Sequence, residues 1–128
     1  MTCKDLVGYH LVDIDDTHII VKKGDTEYVL RIMEDYGGCC GYNEITTKLF
    51  VSETELGLNP IITNVDIDKG KTEKDWSDGE SCKLTFFGGY KPLAVVDTYS
   101  SSGSGWCYGA CVSINCEVLG INEELSSW

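Results

Sequence analysis

The chain of 128 residues carries seven cysteines, Cys3, Cys39, Cys40, Cys82, Cys107, Cys111 and Cys116, and two histidines, His10 and His18. These are the side chains with metal or nucleophile chemistry to offer. Cys39, Cys40, Cys107 and Cys111 together are enough for a tetrahedral thiolate site of the kind zinc prefers. Their spacing argues against it, because structural zinc knuckles place two residues between paired ligands so that one turn wraps the ion. Here one pair is adjacent and the other is separated by three residues. An odd number of cysteines behind an N-terminus with no basic and apolar leader predicts reduced thiols rather than a disulfide framework. Cys39 and Cys40 are also too close in sequence to bridge each other without strain. A thiol nucleophile needs a base. His10 and His18 both fall in predicted N-terminal strands, and no signature ties either to a particular cysteine.

Two other patterns have chemistry attached. Gly103, Gly105 and Gly109 hint at a phosphate-binding loop, but the spacing is wrong for a dinucleotide fingerprint and a strand, not a helix, follows. Asp75-Trp76-Ser77-Asp78-Gly79-Glu80 is acidic enough to attract cations, yet it lacks the alternating oxygen ligands and terminal glutamate of an EF-hand loop. No cofactor is therefore expected. The same segment reads either as a solvated loop with one anchored aromatic or as a surface that presents Trp76 to a partner amid acids. Aromatic residues commonly anchor interfaces. The candidate partner-binding residues are Glu73, Asp75, Trp76, Asp78 and Glu80, with Trp106 and Tyr108 from the later glycine-rich turn. A runner-up places a small-ligand or metal site at Cys39 and Cys40 beside the Cys107 to Cys111 turn.

Twenty-one acidic residues against ten basic ones give a formal charge of −11. Such a field keeps a protein soluble or offers an acidic face to a basic surface on a partner protein, and it repels phosphate backbones, which disfavours direct nucleic-acid binding. No segment reaches the ~20 apolar residues that cross a bilayer, so the expected location is the cytoplasm. The length suits one domain, residues 1–128, which buries roughly two thirds of the surface of its unfolded form.

The elements that must position these residues are mostly strands. Period-two alternation is clearest over Ile61 to Asp68, where Ile61, Thr63, Val65 and Ile67 take one face and Asn64, Asp66 and Asp68 the other. A meander of Leu6 to Ile14, Thr17 to Lys22 and Glu27 to Met33 precedes it, with turns at Asp15-Asp16 and Gly24-Asp25. Tyr42 to Phe50 stays open between helix and strand. Ser52-Glu53-Thr54-Glu55 has capping-box spacing, with Gly57 and Asn59-Pro60 as a stop, and predicts one short helical turn. Lys69 to Ser81 reads as a long exposed hairpin loop. Strands at Cys82 to Phe87, Leu93 to Tyr99 and Ala110 to Leu119 complete the set, with Cys82 and Cys116 on core-facing parities. The fold expected is mainly β: an antiparallel sheet or small sandwich or half-barrel of about seven strands with at most one or two short helices.

Leu6-Val7-Gly8-Tyr9, Gly37-Gly38-Cys39-Cys40-Gly41, Leu58 to Val65 and the late Ser-Ser-Gly-Ser-Gly-Trp-Cys-Tyr-Gly turn occur in an order that resembles a family of small, uncharacterised phage and prophage proteins, the double cysteine being the distinctive motif. The resemblance spans most of the chain and carries across no catalytic residues. It implies a phage or mobile-element accessory protein, a class that includes inhibitors of host defence such as anti-CRISPR proteins. The resulting expectation is a non-enzymatic binding protein that blocks a host target through an acidic, aromatic surface.

Overall fold

The computed structural model describes residues 1–36, 42–74, 77–101 and 110–127, with positions 36, 42, 71–74, 77 and 78 described in their backbone alone. Within these residues the chain forms nine strands. They are β1 (His10–Ile14), β2 (His18–Lys23), β3 (Thr26–Tyr36), β4 (Tyr42–Leu49), β5 (Asn64–Lys74), β6 (Ser77–Gly88), β7 (Lys91–Ser101), β8 (Ala110–Cys116) and β9 (Ile121–Ser127). A 3-10 turn over Cys3–Leu6 opens the chain, and one short helix, α1 (Glu53–Gly57), follows β4. Every pairing is antiparallel, in a five-stranded sheet ordered β1-β2-β3-β8-β9 and a four-stranded sheet ordered β4-β7-β6-β5.

Alternation along the strands builds a single core between the sheets. Leu11, Ile19, Leu30, Val112 and Ile114 point inward from the first sheet and meet Val65, Leu84, Phe86 and Val96 from the second. The fully buried leucines, isoleucines and phenylalanine each contribute about 1.5–3 kcal/mol relative to exposure, so this layer supplies the main stabilisation. Segment 60–63 joins the sheets along one edge. Leu11 N–H donates to the Pro60 carbonyl, Ile62 N–H to that of Tyr9 and Thr63 N–H to that of Phe87, each at 2.8 Å. Across the open side β9 lies over β6 and β7. The mainly β expectation holds, as a rolled sandwich.

Several boundaries move. The first expected strand starts later, at His10, and Leu6 belongs instead to the 3-10 turn, where it is buried together with Cys3. The segment left open between helix and strand is β4, paired residue for residue from Tyr42↔Ser101 to Leu49↔Ala94. The expected loop over Lys69 to Ser81 is instead the paired length of β5 and β6, whose register runs on to Lys74↔Ser77. Ile61 is not a core residue. It is 47% exposed, while Ile62 is fully buried, because the chain at 61–62 pairs with β1 before it enters β5. Ninth in order, β9 was not anticipated, and Val118 lies exposed in the turn after β8 rather than in that strand. The helical turn is where expected: Ser52 Oγ accepts from Glu55 N–H at 3.1 Å, and Asn59 takes the left-handed conformation that ends it. No helix among the described residues is long and apolar enough to cross a membrane.

Candidate functional site

One end of the sandwich gathers the strand ends that flank the residues singled out from sequence. Tyr36, at the end of β3, pairs with Ala110 at the start of β8. Tyr42, at the start of β4, pairs with Ser101 at the end of β7, and Ser101 pairs with Gly79 of β6. The strand ends bordering 37–41, 75–76 and 102–109 therefore share one end of the fold. Cys39, Cys40, Asp75, Trp76, Trp106, Cys107 and Tyr108 themselves lie outside the described residues. Glu73 and Asp78 occupy facing positions on β5 and β6, one rung beyond the last rung that β6 shares with β7. Glu80 is half-buried and sits opposite Ser100. Of the four candidate metal ligands, only Cys111 is described.

Beneath this end the two sheets are tied by side chains rather than by apolar contact. Thr98 Oγ1 donates to Ser126 Oγ at 2.9 Å, and Ser100 Oγ donates to Asn43 Oδ1 at 2.7 Å. Ser100 and Ser126 hydroxyls lie 2.7 Å apart. A hydroxyl has one proton to give. Ser100 has already spent its own on Asn43, so Ser126 must be the donor between them. The chain then runs in one direction, Thr98 to Ser126 to Ser100 to Asn43, and ends where Asn43 Nδ2 donates to the carbonyls of Asp35 and Cys111 at 3.3 and 3.2 Å. Five strands contribute to it. All four of these side chains are buried, a location in which polar groups persist only when paired. Because the chain terminates on backbone carbonyls, it fixes the end of the sandwich and delivers no proton to a reactant.

Above that network Cys111 Sγ donates to Glu124 Oε1 at 3.3 Å. Desolvation, this hydrogen bond and the negative charges of Glu124, Asp35 and Glu80 push its thiol up to about 11. Burial likewise pushes Cys82 up to about 11, and burial together with Glu123 drives Cys3 well above the ordinary thiol range. A nucleophilic cysteine requires the opposite shift. The histidines are engaged elsewhere. His10 Nδ1 donates to the Asn59 carbonyl at 2.7 Å, and His18 Nδ1 stands 3.2 Å from Asp15. Among the described residues no three His, Cys, Asp or Glu side chains are grouped to hold a metal ion.

Asp35 and Glu124, which surround Cys111, were not among the residues chosen from sequence, nor were Asn43, Thr98, Ser100 and Ser126. The signal available for the buried four was a polar residue at an inward parity. Comparison with protein families, with curated proteins and with solved structures finds no match to this chain.

Proposed function

We propose that this chain is a non-enzymatic binding protein that engages a basic surface on a partner protein through the end of the sandwich around Glu80, Glu124, Asp35 and the β5–β6 hairpin. The observation that carries the reading is uncompensated negative charge. The chain bears a formal −11, and among the described side chains Lys91–Glu55, at 3.1 Å, is the one lysine–carboxylate pair. A field of that sign steers association with a basic partner and repels nucleic acid. The upward-shifted thiols support binding over covalent chemistry. The resemblance to small phage and prophage proteins supports a host defence or nucleic-acid-handling protein as the target, with the chain as an anti-CRISPR-like or other anti-defence inhibitor in the host cytoplasm.

The test is affinity capture from a bacterial host lysate at graded ionic strength, with the Asp35→Asn, Glu80→Gln, Glu124→Gln variant alongside. The reading expects a specific protein held at low salt and released as salt rises, and held more weakly by the variant. Recovery of no protein at any salt, or binding indifferent to both salt and the substitutions, sinks it.

A second reading has one observation in its favour. The pairs Tyr36↔Ala110 and Tyr42↔Ser101 make neighbours of the strand ends that flank Cys39-Cys40 and Cys107. This supports a small-ligand or metal site of Cys39, Cys40, Cys107 and Cys111. Elemental analysis of protein purified without chelator decides the metal version: about one equivalent supports it, and less than about a tenth of an equivalent removes it.

A further inference from the structure

The outer face of the five-stranded sheet carries a second feature, far in kind from the acidic end. Arg31 is the single arginine in the sequence, and it stands exposed on β3. Its register partners are His18 on β2 and Asn115 on β8. Among the described side chains no carboxylate comes within 4.0 Å of its guanidinium, although the chain carries twenty-one of them. On either side along the strand, Val29 and Met33 are each 48% exposed at outward positions that a solvated sheet face fills with polar residues. These three residues line a half-open groove of about 610 Å³, with Asn115, Glu27 and Glu117 also in its wall and Val118, 82% exposed, at its rim.

The groove thus offers a planar cation with a neighbouring amide, an apolar floor, and carboxylates. Its size is within the usual span of about 300–1,000 Å³ for small-molecule sites. A simple anion suits Arg31 but meets Glu27, Glu117 and the −11 field of the whole chain. A simple cation suits the carboxylates and leaves Arg31 without a partner. A zwitterion carries no net charge into the field and satisfies both ends. Along β3, Glu27 and Arg31 are four residues apart, about 13 Å at the backbone. A peptide of two or three residues at about 3.3–3.6 Å each, with a hydrogen bond of about 2.8 Å at either end, spans such a separation.

We infer that this groove binds short zwitterionic peptides with apolar side chains, the terminal carboxylate on Arg31 and Asn115, the terminal ammonium on Glu117 or Glu27, and the side chains on Val29, Met33 and Val118. The site is independent of the acidic end, so either reading can fail alone.

The probe is trileucine, titrated calorimetrically into the wild-type protein beside its C-terminal amide and its N-acetyl form. Saturable binding of trileucine is expected, weakened about tenfold to a hundredfold by either block, the worth of a charge-assisted hydrogen-bond set. Arg31→Gln is expected to weaken trileucine and to erase its advantage over the amide, and Glu117→Gln to reduce its advantage over the acetylated form. The end-blocked peptides test the wild type, so the outcome does not depend on how a variant folds. Absence of saturable heat with trileucine at millimolar concentration overturns the inference. So does equal binding of trileucine and its amide.

Discussion

Replacement of Ser126 by alanine tests the direction assigned to the buried hydroxyl chain. The substitution removes the acceptor of Thr98 Oγ1, which is 3% exposed and has no water to turn to. Ser100 loses only a bond that it accepts and keeps the one it donates to Asn43. One buried donor is therefore orphaned, a loss of about 1–3 kcal/mol. Thr98→Val made on top of Ser126→Ala removes that orphan while preserving shape, and replacement of both partners by apolar groups is close to neutral. The double variant should therefore be more stable than the single one and lie within about 1 kcal/mol of wild type. Ser100→Ala behaves differently, since it strands both the Ser126 hydroxyl proton and Asn43 Oδ1, and it should cost more than Ser126→Ala. Urea denaturation followed by circular dichroism gives the order from the midpoints, provided the slopes agree. If Thr98→Val deepens the damage of Ser126→Ala rather than repairing it, the assigned direction is wrong.

Gly79 lies diagonal to Tyr99 across the β6–β7 ladder, and a Cβ added there would enter the Tyr99 ring. Gly79→Ala is expected to cost about 1–3 kcal/mol and to alter the near-ultraviolet dichroism of the ring, and an unchanged midpoint and spectrum would contradict that packing. Stability should also fall in alkali. Cys82 keeps its proton in the fold up to about 11, against an ordinary 9.0, and Cys3 shifts the same way. The unfolded chain therefore loses these protons first, so the stabilisation is complete below about pH 9 and drains as pH rises above it, by about 1.4 kcal/mol per pH unit for each thiol. Midpoints measured from about pH 8 to 10.5 under reducing conditions should drop more steeply for wild type than for Cys82→Ala, and parallel curves would refute the assignment.

The legible part of the fold was the part whose inward positions are apolar. Cys82, Leu84 and Phe86 alternate cleanly in β6, and Val112, Ile114 and Cys116 do so in β8, and all six are buried. β4 defeats that reading because its inward residues are Asn43, Ile45 and Thr47, with one aliphatic side chain among three. In β5 the alternation fades after Ile67 because the strand runs past the apolar core, and Lys69 reaches instead to the Glu124 carbonyl. β9 breaks period two outright. Its register slips between Ser113↔Glu124 and Val112↔Ser126, so that Leu125 and Ser126 are both buried although they are neighbours. A bulge of this kind leaves no periodic trace.

The site was less legible than the fold, and for a related reason. Asn43, Thr98, Ser100 and Ser126 look like loop or edge residues when each is read alone, because a polar group at a core position is costly until it finds its partner. The partners are 57, 28 and 26 residues apart in sequence. No local window contains the information that makes them acceptable. The chemistry-bearing residues that did stand out, the cysteines, were conspicuous by type, yet Cys3, Cys82 and Cys116 are buried as packing residues and Cys111 is held protonated by its surroundings. What distinguishes the acidic end is a three-dimensional coincidence of Asp35, Glu80 and Glu124 from three separate strands around one thiol. A charge count in sequence registers their number, and only the closure of the two sheets gives them a common surface.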